Sequence, residues 1–232
     1  MKVLDVGSGA GDVTLLLAEL VGPTGIVVGV DSNPRFLDAA RMRVSKAGLR
    51  NVSFICDDIG RVSLESDFDA IVGRCLLFFL KDPSAVLKRL VAHARSGGII
   101  VFQEPGNAAL KPVALPTSVL LDNLWGWIME TYRRAGMDLF FGLKLFSIFV
   151  DAGLPKPEMH LDAAVGGGSD WPGYEYMASL VRVMLPQMVK LGVVSEREVG
   201  IDTLADRLRT EINSNGGAVS TWGFISAWAR KA

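Results

Sequence analysis

The strongest constraint on the fold of this chain is a regular alternation of short apolar runs with helical patterns over its first 104 residues. Each run is rich in valine and isoleucine, which is typical of strands buried on both faces. Parallel strands must be joined by crossover connections, and these are usually helices. The alternation therefore predicts a doubly wound α/β fold with a parallel sheet. The predicted strands are 2–6, 25–31, 52–56, 68–73 and 99–104.

The helices between these strands have recognisable beginnings. Asp12 is placed to cap the first helix, Asn33 and Pro34 open the second, and Asp82 and Pro83 open the third. Asp and Asn side chains accept hydrogen bonds from the free amides of a first helical turn, and proline fits the first helical position. These positions support the order strand, helix, strand.

The rest of the chain has a mostly helical pattern. Helices are predicted within 107–153 and 172–214, the latter with a capping box at Ser195 and Glu198, and strands at about 157–165 and 219–230. We predict one domain over 1–232. It comprises a ligand-binding core at 1–106, a helical lid region with the sixth strand at 107–218, and a C-terminal strand at 219–232.

Composition narrows the class of partner. The chain has 232 residues, a formal net charge of −1 and no dense stripe of Lys and Arg, which argues against nucleic acid and favours a small ligand. It has no pattern of a signal peptide or spanning helix, and Cys56 and Cys75 are expected to be free, buried thiols. A cytoplasmic protein without a membrane span is expected. The absence of metal-ligand spacing predicts no metal site.

A glycine turn directly follows the first predicted strand. Gly7, Gly9 and Gly11 can bring backbone N–H groups and a helix N-terminus close to a polar ligand. The dinucleotide pattern G-x-G-x-x-G would need glycine at position 12, where an acid, Asp12, would repel a pyrophosphate. Asp5 in front of the turn suits a cationic ligand end instead.

Asp31 ends the second predicted strand, where a carboxylate can accept hydrogen bonds from both hydroxyls of a ribose. Together with the glycine turn, this position predicts an adenosyl ligand that lacks phosphate and carries positive charge. S-adenosylmethionine is such a molecule, because it has a sulfonium and an ammonium group.

With these features, the chain resembles the class I S-adenosylmethionine-dependent methyltransferases. The likeness is carried by "LDVGSGAG" (4–11), "VGVDSN" (28–33), "FICDD" (54–58), "FDAIVGRCLLFFLKDPSAVLKRL" (68–90) and "RSGGIIVFQEP" (95–105). Small-molecule methyltransferases with the run R-x-x-L after strand four, here Arg74 and Leu77, are the most similar group. The resemblance implies a Rossmann-like seven-stranded sheet with an antiparallel last strand. It also implies helical lid insertions after strand five and between strands six and seven.

The resemblance also implies roles for individual residues. The glycine turn would hold the methionine part of the cofactor, Asp31 the ribose, Asp57 the adenine amino group, and Arg74 the cofactor carboxylate or the pocket floor. The cofactor-binding residues that it implies are Asp5, Gly7, Ser8, Gly9, Gly11, Asp31, Ser32, Asp57, Asp58, Ile59 and Arg74. The product would be S-adenosyl-L-homocysteine.

The expected reaction is transfer of a methyl group to a small organic substrate, apolar or aromatic, by in-line displacement. Alignment supplies much of the catalysis in such a reaction, and the candidate bases are Glu104 and His160. His93 is expected at the surface. The substrate-pocket candidates are Leu77, Glu104, Trp125, Trp127 and Trp171.

Two departures from the family pattern leave alternatives open. The helical segment that usually precedes strand one is not in this sequence, so either the sequence is a fragment or the late insertions supply the cover. The insertion between strands six and seven is expected to be a substrate lid or a homodimer surface. The alternative functions are a non-catalytic S-adenosylmethionine-binding relative and an NAD-dependent oxidoreductase.

Overall fold

The structure is a computed structural model that describes residues 1–106, 110–214 and 216–232. The chain divides into two compact units. The first, which we call the sheet unit, comprises Met1–Glu104, Gly142–His160 and Ile225–Ala232. The second, the helical unit, comprises Pro105–Phe141 and Leu161–Phe224.

The first part of the chain follows the predicted alternation of strands and helices. All five predicted strands and all three helices are present, so this prediction is confirmed. A 3₁₀ turn at Leu77–Phe79 separates the fourth strand from the third helix. The elements are β1 (Lys2–Val6), α1 (Asp12–Val21), β2 (Ile26–Asp31), α2 (Pro34–Lys46), β3 (Val52–Cys56), β4 (Phe68–Arg74), α3 (Pro83–His93) and β5 (Ala94–Pro105).

The later part of the chain mixes short strands with longer helices. Its elements are β6 (Ala114–Leu115), α4 (Val119–Arg134), α5 (Phe141–Asp151), β7 (Glu158–Asp162), β8 (Val165–Gly167), α6 (Gly173–Lys190), α7 (Glu196–Val199), α8 (Leu204–Asn213), β9 (Ala218–Ser220) and β10 (Phe224–Arg230). The predicted capping box is confirmed, since Ser195 Oγ accepts from Glu198 N and Glu198 Oε2 accepts from Ser195 N.

Seven strands form one sheet in the order β3-β2-β1-β4-β5-β10-β7. β1 is parallel to both β2 and β4, with Val6 beside Val30 on one side and Gly73 on the other. β10 runs antiparallel to β5. Gly97 N donates to Lys231 O near the beginning of β5, whereas Gln103 Nε2 donates to Ser226 Oγ near its end. The predicted mixed sheet with an antiparallel last strand is confirmed.

Two of the three predicted helix caps are confirmed. Asn33 Oδ1 accepts from Arg35 N, and Asp82 Oδ1 accepts from Ala85 N, both at 3.0 Å. The predicted cap at Asp12 is wrong, because Gly11 occupies that position with a left-handed φ of 86° and no side chain caps the helix. The Asp12 carboxylate instead forms an ion pair with Arg43 on α2, at 2.7 Å.

The helical unit contains a small sheet that the sequence analysis did not predict. β9 pairs antiparallel with both β6 and β8, and β6 lies within the segment predicted as helical. Of that predicted segment, residues 107–109 lie outside the described residues. Each predicted late strand is in fact two strands, one in each sheet, so the continuous strands at 157–165 and 219–230 are wrong. Between β9 and β10, a Cβ at Gly223 would lie 2.7 Å from Leu161 Cδ1, so the backbone approaches that side chain closely where the predicted strand is interrupted.

Helix α5 belongs largely to the sheet unit, although it lies in the middle of the predicted lid region. Phe149 of α5 packs edge to face against Phe102 of β5, with ring centroids 6.3 Å apart and planes at 83°. Both side chains are fully buried. The sheet unit is therefore assembled from three separate stretches of sequence.

The exposure of the two cysteines differs from the expectation. Both are free, as predicted, but Cys56 is exposed and Cys75 is half-buried. Cys56 ends β3, which is an edge strand of the large sheet, so its side chain has neighbours on fewer sides. Within the described residues, no helix has both the length and the apolar character needed to cross a bilayer.

A matched pair of glycine substitutions tests the packing of the sheet. A Cβ at Gly73 would overlap Phe102 Cε1, so Gly73→Ala must displace that ring and should destabilise the protein by about 1–3 kcal/mol. Gly126 lies exposed in α4, where no described atom outside the adjoining helix backbone comes within 4 Å of a Cβ, so Gly126→Ala should stabilise the protein by about 0.5–1 kcal/mol through helix propensity. Urea unfolding followed by circular dichroism measures both changes. A Gly73→Ala protein with the same unfolding midpoint as wild type would contradict the tight contact at Gly73.

Candidate functional site

The predicted cofactor-binding residues lie along one edge of the sheet unit. β1 to β5 run parallel to one another, so their carboxyl ends meet at the same edge. Open α/β sheets bind ligands in the crevice at this edge. The edge carries the glycine turn 7–11 after β1, Asp31 at the end of β2, Asp57 after β3, Arg74 at the end of β4 and Glu104 near the end of β5.

The glycine turn has a conformation that requires glycine. Gly7, Gly9 and Gly11 have φ values of 69°, 53° and 86°, a region that side chains with a Cβ rarely adopt. At Gly7, a Cβ would also lie 2.9 Å from Leu76 Cδ1. At Gly9, no atom of the described residues, apart from its chain neighbours, lies within 4 Å of a Cβ position, so the tip of the turn borders open space.

Asp31 holds the tip of this turn. Its Oδ2 accepts from Gly9 N at 2.9 Å, and its Oδ1 accepts from Asn33 N at 2.8 Å. A carboxylate oxygen has room for a second hydrogen bond, so the half-buried Asp31 can still accept from ligand hydroxyls. Ser32, the next predicted residue, is exposed at the same edge.

Asp5 lies beneath the turn rather than on its surface. It is 1% exposed, and its Oδ2 accepts a 2.5 Å hydrogen bond from the Thr14 hydroxyl. Burial raises the pKa of Asp5 to about 6; the hydrogen bond from Thr14 opposes this rise, and the charge of Asp31 adds to it. Thr14 was missed by the sequence analysis, although it is the one hydroxyl residue in α1. Asp5 and Thr14 join the end of β1 to α1 on either side of the turn.

Ser8 adds a buried hydroxyl to the turn. Ser8 is 6% exposed, and its Oγ has no hydrogen-bond partner within the described residues. Such a group usually finds a partner in water or a ligand.

The segment after β3 is tied to the same edge by its backbone. Asp57 N donates to Asp31 O at 3.2 Å, and Asp57 Oδ1 accepts from Asp58 N at 2.7 Å. Asp58 is exposed, whereas Ile59 is buried and its carbonyl accepts from Arg89 Nη2 on α3 at 2.6 Å. Arg89 was missed, because nothing in the local sequence indicates a contact 30 residues away.

A sharp turn follows β4. Arg74 is exposed at the strand end, and the next residue, Cys75, has a left-handed φ of 52°, with its N–H donating to Gln103 O at 2.9 Å. Burial, with a smaller contribution from Glu104, raises the pKa of the Cys75 thiol to about 11. Cys75 is therefore a protonated thiol near neutral pH and a poor nucleophile.

Glu104 is fully buried at the end of β5. Its Oε1 accepts from Leu76 N at 3.1 Å and from Leu77 N at 2.8 Å, while Oε2 has no partner within the described residues. Burial raises the pKa of Glu104 to about 7, although the amides of Leu77, Leu76 and Phe78 oppose this rise. Glu104 thus acts as the cap of the 3₁₀ turn, and Leu77 itself is fully buried.

The remaining candidates lie elsewhere in the chain. His160 is exposed on β7, which is two strands away from β5 in the sheet. Trp125 is buried in the core of the helical unit and stacks on Trp222 at 6.3 Å. Trp127 and Trp171 are half-buried at the border of that core. Their roles in a substrate pocket remain predictions.

His93, which was predicted at the surface, is half-buried. It is the last residue of α3, and its Nδ1 lies 3.1 Å from Glu65 O.

The fold and the site together define a class of protein. A seven-stranded sheet with an antiparallel last strand, a glycine turn after its first strand and an acidic residue at the end of its second is the arrangement of the class I S-adenosylmethionine-dependent methyltransferases. A family model described as "Methyltransferase domain" matches residues 1–132, and the chain belongs to this family.

Individual relatives agree with this assignment. The chain is 34% identical over 105 residues to aklanonic acid methyltransferase DauC of Streptomyces sp. (strain C5), covering 45% of this chain and 48% of that enzyme. It is 28% identical to the ubiquinone/menaquinone biosynthesis C-methyltransferase UbiE of Pseudomonas fluorescens, covering 68% and 67% of the two chains. The chain thus spans about half the length of the aklanonic acid methyltransferase that it matches.

A solved structure extends the likeness in fold to the whole chain. Phosphoethanolamine N-methyltransferase 2 of Haemonchus contortus, in complex with S-adenosyl-L-methionine, superposes with a TM-score of 0.57 at 18% identity. The match covers 100% of this chain and 48% of the other. At this identity, it shows a shared fold.

The raised pKa of Glu104 predicts a pH dependence of stability. The carboxyl has a pKa of about 7 in the folded protein and 4.5 as a free side chain, so the unfolded chain releases its proton first. Its contribution to stability is full below pH 4.5 and is lost as the pH rises to about 7, by up to roughly 3 kcal/mol. Glu104→Gln should reduce the slope in urea unfolding between pH 4.5 and 7.5 to the part that Asp5, with its pKa of about 6, contributes.

The exposed Glu158→Gln serves as the control and should keep the wild-type slope. A Glu104→Gln protein with the same pH dependence as wild type would show that Glu104 ionises normally.

Proposed function

We propose that this protein transfers a methyl group from S-adenosylmethionine to a small organic substrate of apolar or aromatic character. The observation that carries this proposal is the hydrogen bond between Asp31 Oδ2 and Gly9 N. It places a carboxylate at the tip of a glycine turn, where an adenosyl ligand would present its ribose hydroxyls.

The residues at this edge fit the proposed cofactor. The turn borders open space at Gly9, and the buried Ser8 hydroxyl lacks a partner within the described residues. Asp31 adds negative charge to the edge, which favours a cationic ligand over a pyrophosphate. Asp57 adds less, because it forms an ion pair with Arg61 at 3.4 Å. Asp12 contributes less to this preference than the sequence suggests, because Arg43 neutralises it.

The chemistry divides between the cofactor and the chain. When bound, S-adenosylmethionine supplies a methyl carbon already activated by its sulfonium, which a nucleophile takes by in-line displacement. The chain's part is to bind and align: the glycine turn offers backbone N–H groups, and Asp31 accepts hydroxyl hydrogen bonds. Glu104 uses Oε1 to hold backbone amides, so only Oε2, which has no partner within the described residues, is left to act as a general base.

The class of substrate is supported by the relatives and by the helical unit. The names of two relatives, the aklanonic acid and the ubiquinone/menaquinone methyltransferases, indicate small-molecule substrates. The half-buried Trp127 and Trp171 have partly exposed ring surfaces of the kind that binds apolar or aromatic molecules.

Binding of the cofactor provides the first test. S-adenosylhomocysteine should bind the wild-type protein in isothermal titration calorimetry, and Asp31→Ala should weaken binding by about 10–100-fold, because it removes a charged acceptor. Asp38→Ala, which removes an exposed carboxylate on α2, should bind like wild type. Thermal stabilisation by NAD alone would instead support an oxidoreductase.

Transfer of a labelled methyl group provides the second test. A panel of phenols, quinols, aliphatic acids and amines should yield labelled product with an aromatic or apolar acceptor. Trp171→Ala should raise KM for that acceptor about tenfold if its ring contributes to binding. A protein that binds S-adenosylhomocysteine but labels no acceptor would favour a non-catalytic relative.

A further inference from the structure

We infer that Glu104 is a positioning residue that holds the cofactor-binding glycine turn in shape through the turn after β4. The inference rests on the proposed function for the identity of the ligand. It is carried by two contacts within the sheet unit: the hydrogen bonds that the Leu76 and Leu77 amides donate to Glu104 Oε1, and the packing of Leu76 against Gly7.

The first contact fixes the turn after β4. Leu76 precedes the 3₁₀ turn and provides no side-chain cap, so the free amides at its start are satisfied by a residue 28 positions away, Glu104. The Cys75 N–H donates to the carbonyl oxygen of Gln103, which precedes Glu104 on β5. Two consecutive residues of β5 therefore hold the backbone of this turn, one through a carbonyl and one through a carboxylate.

The second contact transmits that geometry to the glycine turn. The Cβ position of Gly7 lies 2.9 Å from Leu76 Cδ1 and 3.2 Å from Leu76 Cβ, so the Leu76 side chain packs directly on the Gly7 backbone. Gly7 N and Ser8 N both donate to Val30 O, which fixes the other side of the turn. A shift of Leu76 would therefore leave the turn supported on one side only.

The charge of Glu104 determines how firmly it holds these amides. An ionised carboxylate accepts stronger hydrogen bonds than a neutral carboxyl group, and with a pKa of about 7, Glu104 changes state near neutral pH. Among the described residues, the Cys75 thiol on the turn after β4 lies close enough for the charge of Glu104 to raise its pKa. Arg74 is the residue before Cys75, at the end of β4. Asp5 and Asp31 lie farther across the sheet, on β1 and β2, and the adjacent strand β10 contributes the uncharged Ser226 beside Gln103.

Hydrogen exchange of the ligand-free protein tests the coupling directly. Glu104→Gln should speed exchange of the Leu76 and Leu77 amides and also of Gly7 and Ser8, by about tenfold, because the charge-assisted bonds are lost. Leu76→Ala should speed exchange at Gly7 and Ser8 while Leu77 stays protected. Glu158→Gln should change neither segment, and circular dichroism checks that every variant is folded.

Exchange at Gly7 and Ser8 that is unchanged in Glu104→Gln, while Leu77 exchanges faster, would overturn the coupling. A purely structural role predicts this outcome, because it confines the effect to the turn after β4.

Calorimetric titration with S-adenosylhomocysteine gives the second readout. If the ionised Glu104 favours the binding-competent turn, wild type should bind about tenfold more tightly at pH 8 than at pH 6. Glu104→Gln should bind with affinities that agree within about twofold at the two pH values, the remainder being due to Asp5, whose pKa is about 6. An equal pH dependence in both proteins would overturn the inference.

The two proposals fail in different ways. A wild-type protein that binds no S-adenosylhomocysteine at either pH contradicts the proposed function, and the exchange experiment then still decides whether Glu104 controls the glycine turn. A protein that binds, but whose glycine turn is insensitive to Glu104→Gln, contradicts only the inference about Glu104.

Discussion

The candidate site depends on the close approach of two backbone segments at the glycine turn. Gly7 has a left-handed φ and lies so near Leu76 that any side chain there would collide with it. This approach lets the turn after β1 meet the turn after β4, and it leaves Gly9 facing open space. The parallel pairing of β1 with β2 and β4 makes the approach possible, since it brings all three strand ends to one edge.

Burial of carboxylates is the energetic consequence of this arrangement. Asp5 and Glu104 are almost completely removed from solvent, and burial raises the pKa of each well above its ordinary value. Such groups reduce the stability of a folded protein near neutral pH. They also provide hydrogen-bond acceptors in fixed positions at the site. Asp5 accepts a hydrogen bond from a hydroxyl group on α1, whereas Glu104 accepts hydrogen bonds from backbone amides. Both carboxyl groups therefore hold segments beside the ligand edge.

Local patterns predicted the parts of the fold that local physics decides. Pro34 and Pro83 at the first helical positions, with the caps Asn33 and Asp82, correctly predicted where two helices begin. Asp12 is not the N-cap of α1, because Gly11 occupies that position in a left-handed conformation that ends the glycine turn. The break near Gly223 was also missed, since alternating apolar residues on both sides give the same pattern in one strand as in two.

The sequence by itself determined the alternation of strands and helices, the glycine turn and the acidic residue at the end of β2, because each depends on residues close together in the chain. It also identified the family, which the match over residues 1–132 confirms. Only the tertiary structure decided that Thr14, Leu76 and Arg89 support the site, that α5 packs on the large sheet and that Glu104 caps a turn. These contacts join residues 9 to 69 positions apart, and their geometry depends on how parallel strands bring distant segments together.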